Sequence, residues 1–450
     1  MVRVTDMTHG RPIRLILLFS LPLMLGSVFQ QLYTIVDTII IGRGVGMQAL
    51  ASIGAADWIN WLVLWGLQGF TQGFAILAAQ EFGAGAYDRL RRVLAMIVKL
   101  SCWFGIAVTI ISLLLVRPLL TLLHTDPAVF GGAQTYLYVQ FGGSLIIIAY
   151  NMAAAVLRCL GDSRTPLFAI IAASFANIAL DLLFVMGFGW GIFGASFATV
   201  LAQLIAFLLC LRSLRRLPFV QLTKADWKTD PAILLHLCRL GIPTGLQMSM
   251  ITLGGMVLQS VLNGFGVVFV AGYTAANKLY GILESASVAF GYAMTAYMGQ
   301  NRGARNAARI DAGIRAVLVL SAGFTAAIVT AMLLAGKPLL GLFLSTEEAG
   351  AADALAVAYQ YLMVLMAFLF ALFVLQAYRS SLQGLGEMTV PTLSGFAEML
   401  MRMGAALVLP AFIGQSGVFF AEGAAWVCAA ALNLVWYYMR IGKIKRDMLQ

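Results

Sequence analysis

The feature that most constrains this chain is the recurrence of predominantly apolar runs of about twenty residues, the length an α-helix needs to cross a bilayer core. Six runs lie near 15–40, 50–78, 93–115, 133–157, 165–186 and 191–211, and six more near 238–262, 277–297, 312–334, 356–378, 389–411 and 417–439. With 61% hydrophobic residues, 11% charged residues and a mean hydropathy of +0.91, the composition is that of a membrane protein. In lipid only helices and closed barrels satisfy every backbone polar group. The expected fold is therefore an all-α polytopic membrane protein of 12 transmembrane helices.

The first run follows Arg3, Arg11 and Arg14, is longer than a signal-peptide core and lacks a small-residue cleavage site, so it reads as a retained helix. With that terminus inside, all 29 Lys and Arg except Arg43, Arg117, Lys278, Lys337 and Arg402 fall in cytoplasmic loops, in the termini or toward the cytoplasmic ends of spans. The bias predicts both termini cytoplasmic. It also sets the net charge of +10 beside anionic lipid headgroups, so that no nucleic acid is called for as a partner. The five cysteines form no CxxC pair and read as small buried hydrophobes; His9, His124 and His236 are isolated. No metal centre, cofactor or catalytic constellation is expected, so the chain does not read as an enzyme.

The chain repeats itself. Pro22 in "SLPLML" matches Pro243 in "GIPTGL", and "QEFGAGAYDR" matches "QNRGARNAAR". "RPLLTLL" matches "KPLLGLF", "LGDSRTP" matches "LGEMTVP", and "GIFGASFA" matches "GVFFAEGA". The offsets run 221, 220, 220, 225 and 226, an ordered series. Two six-helix lobes follow, 1–211 and 237–450, joined by a basic cytoplasmic connector, 212–236. An even number of spans per repeat relates the lobes by an axis along the membrane normal, with a site expected between them.

The stretches "VDTIIIGRGVGMQALASIG", "AAQEFGAGAYDRLRR" and "LRCLGDSRTPLFAIIAASFANIALDLLFVMGFGWGIFGASFATVLAQ", with the weaker echo "LQGLGEMTVPT", resemble the multidrug and toxic compound extrusion (MATE) transporters. The likeness runs from about Pro12 to Tyr438 and is similar to the DinF-like and MepA-like bacterial branches. It implies two lobes around a central cavity in a bacterial inner membrane. It also implies export of cationic organic compounds by alternating access, in exchange for H⁺ or Na⁺.

The residues themselves point to an ion site. Intramembrane carboxylates are expensive and face cavities or ion paths. Asn177 and Asp181 are four apart, hence on one helix face. At ~1.5 Å per residue from Pro166, Asp181 lies roughly 22 Å into its span. Asp37 precedes the "GRGVG" turn and falls in the same outer half, with Tyr136 and Thr199 at comparable height to supply hydroxyls. The resemblance assigns Asp37, Tyr136, Asn177, Asp181 and Thr199 to a first-lobe cation-coupling site, and Pro22 to a bend in span 1. The oxygen set would also suit Na⁺.

For the substrate cavity, Trp58, Trp61, Trp65 and Gln68 form one stripe of span 2. The stripe serves either a cation-attracting cavity wall or an interfacial belt. In the second lobe Asp37 corresponds to Leu258, Asp181 to Leu407 or its neighbour, and Asn177 to Arg402. Arg402 follows Glu398 by four, which reads as a salt bridge before an anion site. Glu284 either meets a cationic substrate or pairs with Lys278 or a neighbouring helix. The alternative function is a flippase of lipid-linked precursors, which would line its cavity with several cationic groups for diphosphate. Two lobes make a complete pathway, so a monomer suffices.

Overall fold

In a computed structural model, which describes residues 4–344 and 350–449, there are thirteen α-helices and, among the described residues, no strand. They are α1 (Pro12–Gly44), α2 (Met47–Gly83), α3 (Tyr87–Leu122), α4 (Pro127–Gly142), α5 (Ser144–Cys159), α6 (Arg164–Asp181) and α7 (Gly191–Arg215). Then follow α8 (Pro231–Asn263), α9 (Val267–Gly303), α10 (Ala307–Gly341), α11 (Ala351–Gly384), α12 (Thr389–Ile413) and α13 (Phe420–Leu449). A π-helical stretch, Leu182–Gly187, continues α6.

Ten helices are long and apolar enough to cross a membrane, and α4 with α5, bent by 50° at Gly143, makes an eleventh. The sequence leads one to expect twelve. The remaining long helix, α9, has 37 residues but is not among them, because Asn277, Lys278, Glu284, Ser285 and Ser287 dilute its apolar character. Most helices outrun the apolar runs that announce them. At ~1.5 Å per residue, α2 measures roughly 55 Å against a hydrocarbon core of about 30 Å. Hydropathy marks where lipid ends, and the helix continues past it.

The repeat is visible as matched lengths. Helices α1 and α8 have 33 residues each, and α2 and α9 have 37 each. The turns that join these pairs also match. Gly46 and Gly266 stand at the N-caps of α2 and α9 with φ of 108° and 92°. An added Cβ at either would meet nothing within 4 Å, so backbone conformation alone demands glycine there.

Contacts divide the described residues into two units. The first holds Leu21–Gly245 with the residues before Met7, and the second holds Met7–Ser20 with the residues from Leu246 onward. The division cuts α1 just before Pro22 and α8 just after Pro243, both of which lie inside their helices. In unit one, the early part of α8 lies on α2 where small residues allow close approach: a Cβ on Gly73 would stand 2.6 Å from Gly241 Cα. The segment before α8, with 3₁₀ turns at Pro218–Val220 and Lys224–Trp227, is held to α3 by Lys99 Nζ, which donates to Trp227 O (2.5 Å) and Thr229 Oγ1 (2.8 Å). In unit two, the segment before α1 is held in the same manner. Met7 N donates to Gln300 Oε1 (2.8 Å), Met7 O accepts from Asn301 Nδ2 (3.1 Å) and Arg309 Nη2 (2.9 Å), and Gly10 O accepts from Arg309 Nη1 (2.9 Å). The motif "QNRGARNAAR" is thus a clasp for residues 7–10.

Candidate functional site

The site lies in unit one, and two apolar clusters set its geometry. The first packs Ile40 and Ile41 of α1 with Ala49, Leu50 and Ile53 of α2, Ile178, Val185, and Ile192 and Ala195 of α7. Val36 joins it, one residue before Asp37. Because α1 and α2 run antiparallel through a tight turn, this register sets Asp37 level with the stretch Ile53–Asp57. The second cluster packs Ala56 and Ile59 of α2 with Ala133, Leu137 and Phe141 of α4, and Tyr136 lies on its edge.

Asn177 and Asp181 share the buried face of α6, at 1% and 0% exposure. At Asp181 the α-helical register ends and the π-helical stretch begins. Such bulges reposition a side chain that a regular helix would carry elsewhere and recur at functional sites. The side chains of Asp37 and Asp181 lie within hydrogen-bonding reach of each other. As carboxylates, neither has a proton to give. Asp37 Oδ1, both oxygens of Asp181 and both polar atoms of Asn177 are buried without a hydrogen-bond partner. Each such group costs ~1–3 kcal/mol, and more when charged.

Tyr136 stands in the field of Asp57 and Asp37, and its hydroxyl accepts from Asn60 Nδ2 at 3.3 Å. Tyr33, one turn before Asp37, stands near Asp37 and Asp181. Thus the structure brings together Asp37, Asp181 and Tyr136, with Asn177 one turn from Asp181. Thr199 is engaged differently: its hydroxyl donates to Ala195 O of its own helix (3.2 Å). Gln203, one turn further along α7, has a buried, unpartnered Oε1. Asp57, Asn60, Tyr33 and Gln203 are absent from the sequence-based site. A usable signal existed for Asp57, a carboxylate inside an apolar run on the far side of the "GRGVG" turn from Asp37.

The tryptophan stripe is open on one side. Trp61 and Trp65 are exposed, Trp58 and Gln68 are half-buried, and the Trp58 and Trp61 rings meet edge-on at 5.3 Å. Pro22 lies within an uninterrupted α1.

In unit two, Arg379, Glu398, Arg402 and Glu422 are paired with one another. Glu398 accepts from Arg379 Nη2 (2.5 Å) and from Arg402 Nη2 (3.1 Å, one turn apart on α12). Arg402 also meets Glu422 Oε2 (2.8 Å) and the carbonyl of Ile251 (2.9 Å). Arg402 is therefore a salt-bridge residue. Glu284 lies beside Tyr280 and within range of Glu422 and Arg402, while Lys278 is exposed. Glu284 and Lys278 form no ion pair with each other among the described residues. Arg379 and Glu422 escape sequence reading because their partners are on other helices, at no fixed spacing.

Comparison with known proteins agrees with this architecture. The MatE family model matches residues 22–183 and 243–408, one segment in each half of the chain. The probable multidrug resistance protein YpnP of Bacillus subtilis is 32% identical over 99% of this chain and 98% of its own length. The multidrug export protein MepA of Staphylococcus aureus is 23% identical over 94% of this chain and 93% of its own. A crystal structure of MATE in complex with MaL6 superposes with a TM-score of 0.91 at 24% identity, covering 99% of this chain and 100% of that one. A transporter of the MOP superfamily from Pyrococcus furiosus, described as having a binding pocket of reversed polarity, does so at the same TM-score of 0.91 over 98% and 99% of the two chains. With a family match in both halves and a full-length relative above 30% identity, this multi-pass membrane chain belongs to the MatE family.

Proposed function

We propose that the protein is a secondary active multidrug efflux antiporter that exports cationic and amphipathic organic compounds in exchange for a monovalent cation by alternating access. It acts as a monomer in a bacterial inner membrane with both termini cytoplasmic. The observation that carries the reading is the Asp37–Asp181 pair, two carboxyls in mutual reach, with Asp37 Oδ1 and both Asp181 oxygens buried without a donor. Such a pair is stable only with a proton or a cation in it. A site that needs a mobile positive charge, in a membrane protein, couples ion entry to conformation. The names of the relatives, multidrug resistance and export proteins, support drug export as the task.

The coupling ion we assign is H⁺. Two carboxyls within hydrogen-bonding reach have the geometry of a shared proton. The flippase reading has less support, because a diphosphate needs free cationic groups and Arg379 and Arg402 are already held by Glu398 and Glu422. In reconstituted vesicles at clamped potential, an inward proton gradient alone should drive export of a cationic dye, and Asp37→Asn should abolish it while the protein stays folded. Export driven by a Na⁺ gradient at equal pH, with none from the proton gradient, would overturn the ion assignment. Full export by Asp37→Asn would overturn the coupling role.

A further inference from the structure

We propose that Asp57, Asn60 and Tyr136 form a second monovalent-cation station beside the Asp37–Asp181 pair, so that the loaded site carries two protons or monovalent cations per cycle. The inference rests on the coupling role proposed above for Asp37 and Asp181.

The first argument is charge. Asp37, Asp57 and Asp181 place three carboxyls in one region of unit one, and among the described residues no Lys, Arg or His pairs with any of them. The ion pairs of unit one, Arg89–Glu81, Arg91–Asp88 and Arg91–Asp226, lie far away. Glu81 is at the other end of α2, roughly 36 Å from Asp57 at ~1.5 Å per residue. A single monovalent cation leaves two negative charges in a low-dielectric setting with no compensation, which membrane interiors do not tolerate. One proton shared by Asp37 and Asp181 serves that pair and does nothing for Asp57.

The second argument is geometry, and it is independent of the first. The α1–α2 pairing brings Asp57 into electrostatic range of Asp37, and the α2–α4 packing, through Ala56 and Ile59 on either side of Asp57 in the chain, sets Tyr136 in range of both. Asn60, one turn beyond Asp57 and so on the same face, donates from Nδ2 to Tyr136 (3.3 Å). That bond orients the amide toward the cluster, yet its Oδ1 is buried without a partner in a residue only 4% exposed. The Asn60 amide oxygen, with the Tyr136 phenol bonded to the same amide and the Asp57 carboxyl in the field of that phenol, makes a set of acceptors that a cation or a protonated acid would satisfy.

The test counts ions. With purified protein in vesicles at zero potential, an opposed tenfold gradient of a monovalent cationic dye is set, and the ion gradient that just stops net dye flux is found. Separate arms use H⁺ and Na⁺. Two ions per dye balance at an ion gradient of about threefold, one ion at about tenfold. The wild type should stop near the first value and Asp57→Asn near the second. Should Asp57→Asn be folded but inactive, ions released by the purified protein on saturation with dye decide the matter: two in the wild type, one in the variant. Equal balance points, or equal ion release, would overturn the second station. Asp37→Asn separates the two proposals. Normal ion-driven transport by that variant would bring down the Asp37–Asp181 coupling role, whatever Asp57→Asn does.

Discussion

The two halves of the chain share a frame and treat charge in opposite ways. Helix lengths agree between α1 and α8 and between α2 and α9, and the intervening turns use glycine in the same conformation. In the first half two spans are irregular: α4 and α5 bend by 50° at Gly143, and α6 turns π-helical straight after Asp181. In the second half the matching helices, α11 and α12, run unbroken, and Glu398 and Glu422 are held by Arg379 and Arg402. One half keeps negative charge uncompensated and its backbone irregular. The other closes the same kind of account inside itself. A repeated fold need not repeat a function, because the frame is set by apolar packing and the function by a few polar residues that the packing tolerates.

The comparison predicts its own sharpest test. Breaking a buried ion pair strands a charge and costs ~3–5 kcal/mol, whereas neutralising an uncompensated acid removes a liability. Arg402→Met should therefore lower the unfolding free energy in detergent by about 3–5 kcal/mol, while Asp181→Asn leaves it unchanged or raises it. Equal destabilisation by both would mean that the first-half acids are structurally paired after all. A smaller effect probes the shared frame. Gly46→Ala and Gly266→Ala each force an L-residue to positive φ with no steric clash besides, at ~1–3 kcal/mol apiece. Similar losses in thermal unfolding would confirm that the two turns are equivalent; a large loss at one alone would show that the frame has diverged.

The smallest effect concerns the prolines. Pro22 and Pro243 each remove a backbone donor near the residue where a helix passes from one unit to the other. Replacing either by Ala restores a hydrogen bond and stiffens the helix. We expect dye turnover in vesicles to slow a few-fold while dye affinity, from equilibrium binding, holds. Unchanged turnover for both variants would leave the prolines as packing features.

Much of this was legible in the sequence. The apolar runs gave the helices and the ordered offsets gave the repeat. Asp37, Asn177 and Asp181 stood out because carboxylates and amides in lipid are costly enough to be informative singly. The rest depended on contacts between helices. Asp57 sat unremarked inside the tryptophan stripe, since nothing local says that its face turns toward α1 and α4. The π-helical stretch "LLFVMG" has no sequence mark, being a register slip and not a residue preference. The Arg379–Glu398–Arg402–Glu422 lattice announced only its intrahelical pair, because the other partners are 19 and 20 residues away along the chain.

The clasp on residues 7–10 also has a consequence for how the protein is made. Met7 leaves the ribosome well before Gln300, which accepts its amide proton and follows 293 positions later. At ~5–20 residues per second the wait is roughly 15–60 s, during which α1 must enter the membrane without the groups that will hold its leading segment. Those residues therefore have to remain uncommitted until then. The second unit is complete only when this early segment comes back to join residues made long after it.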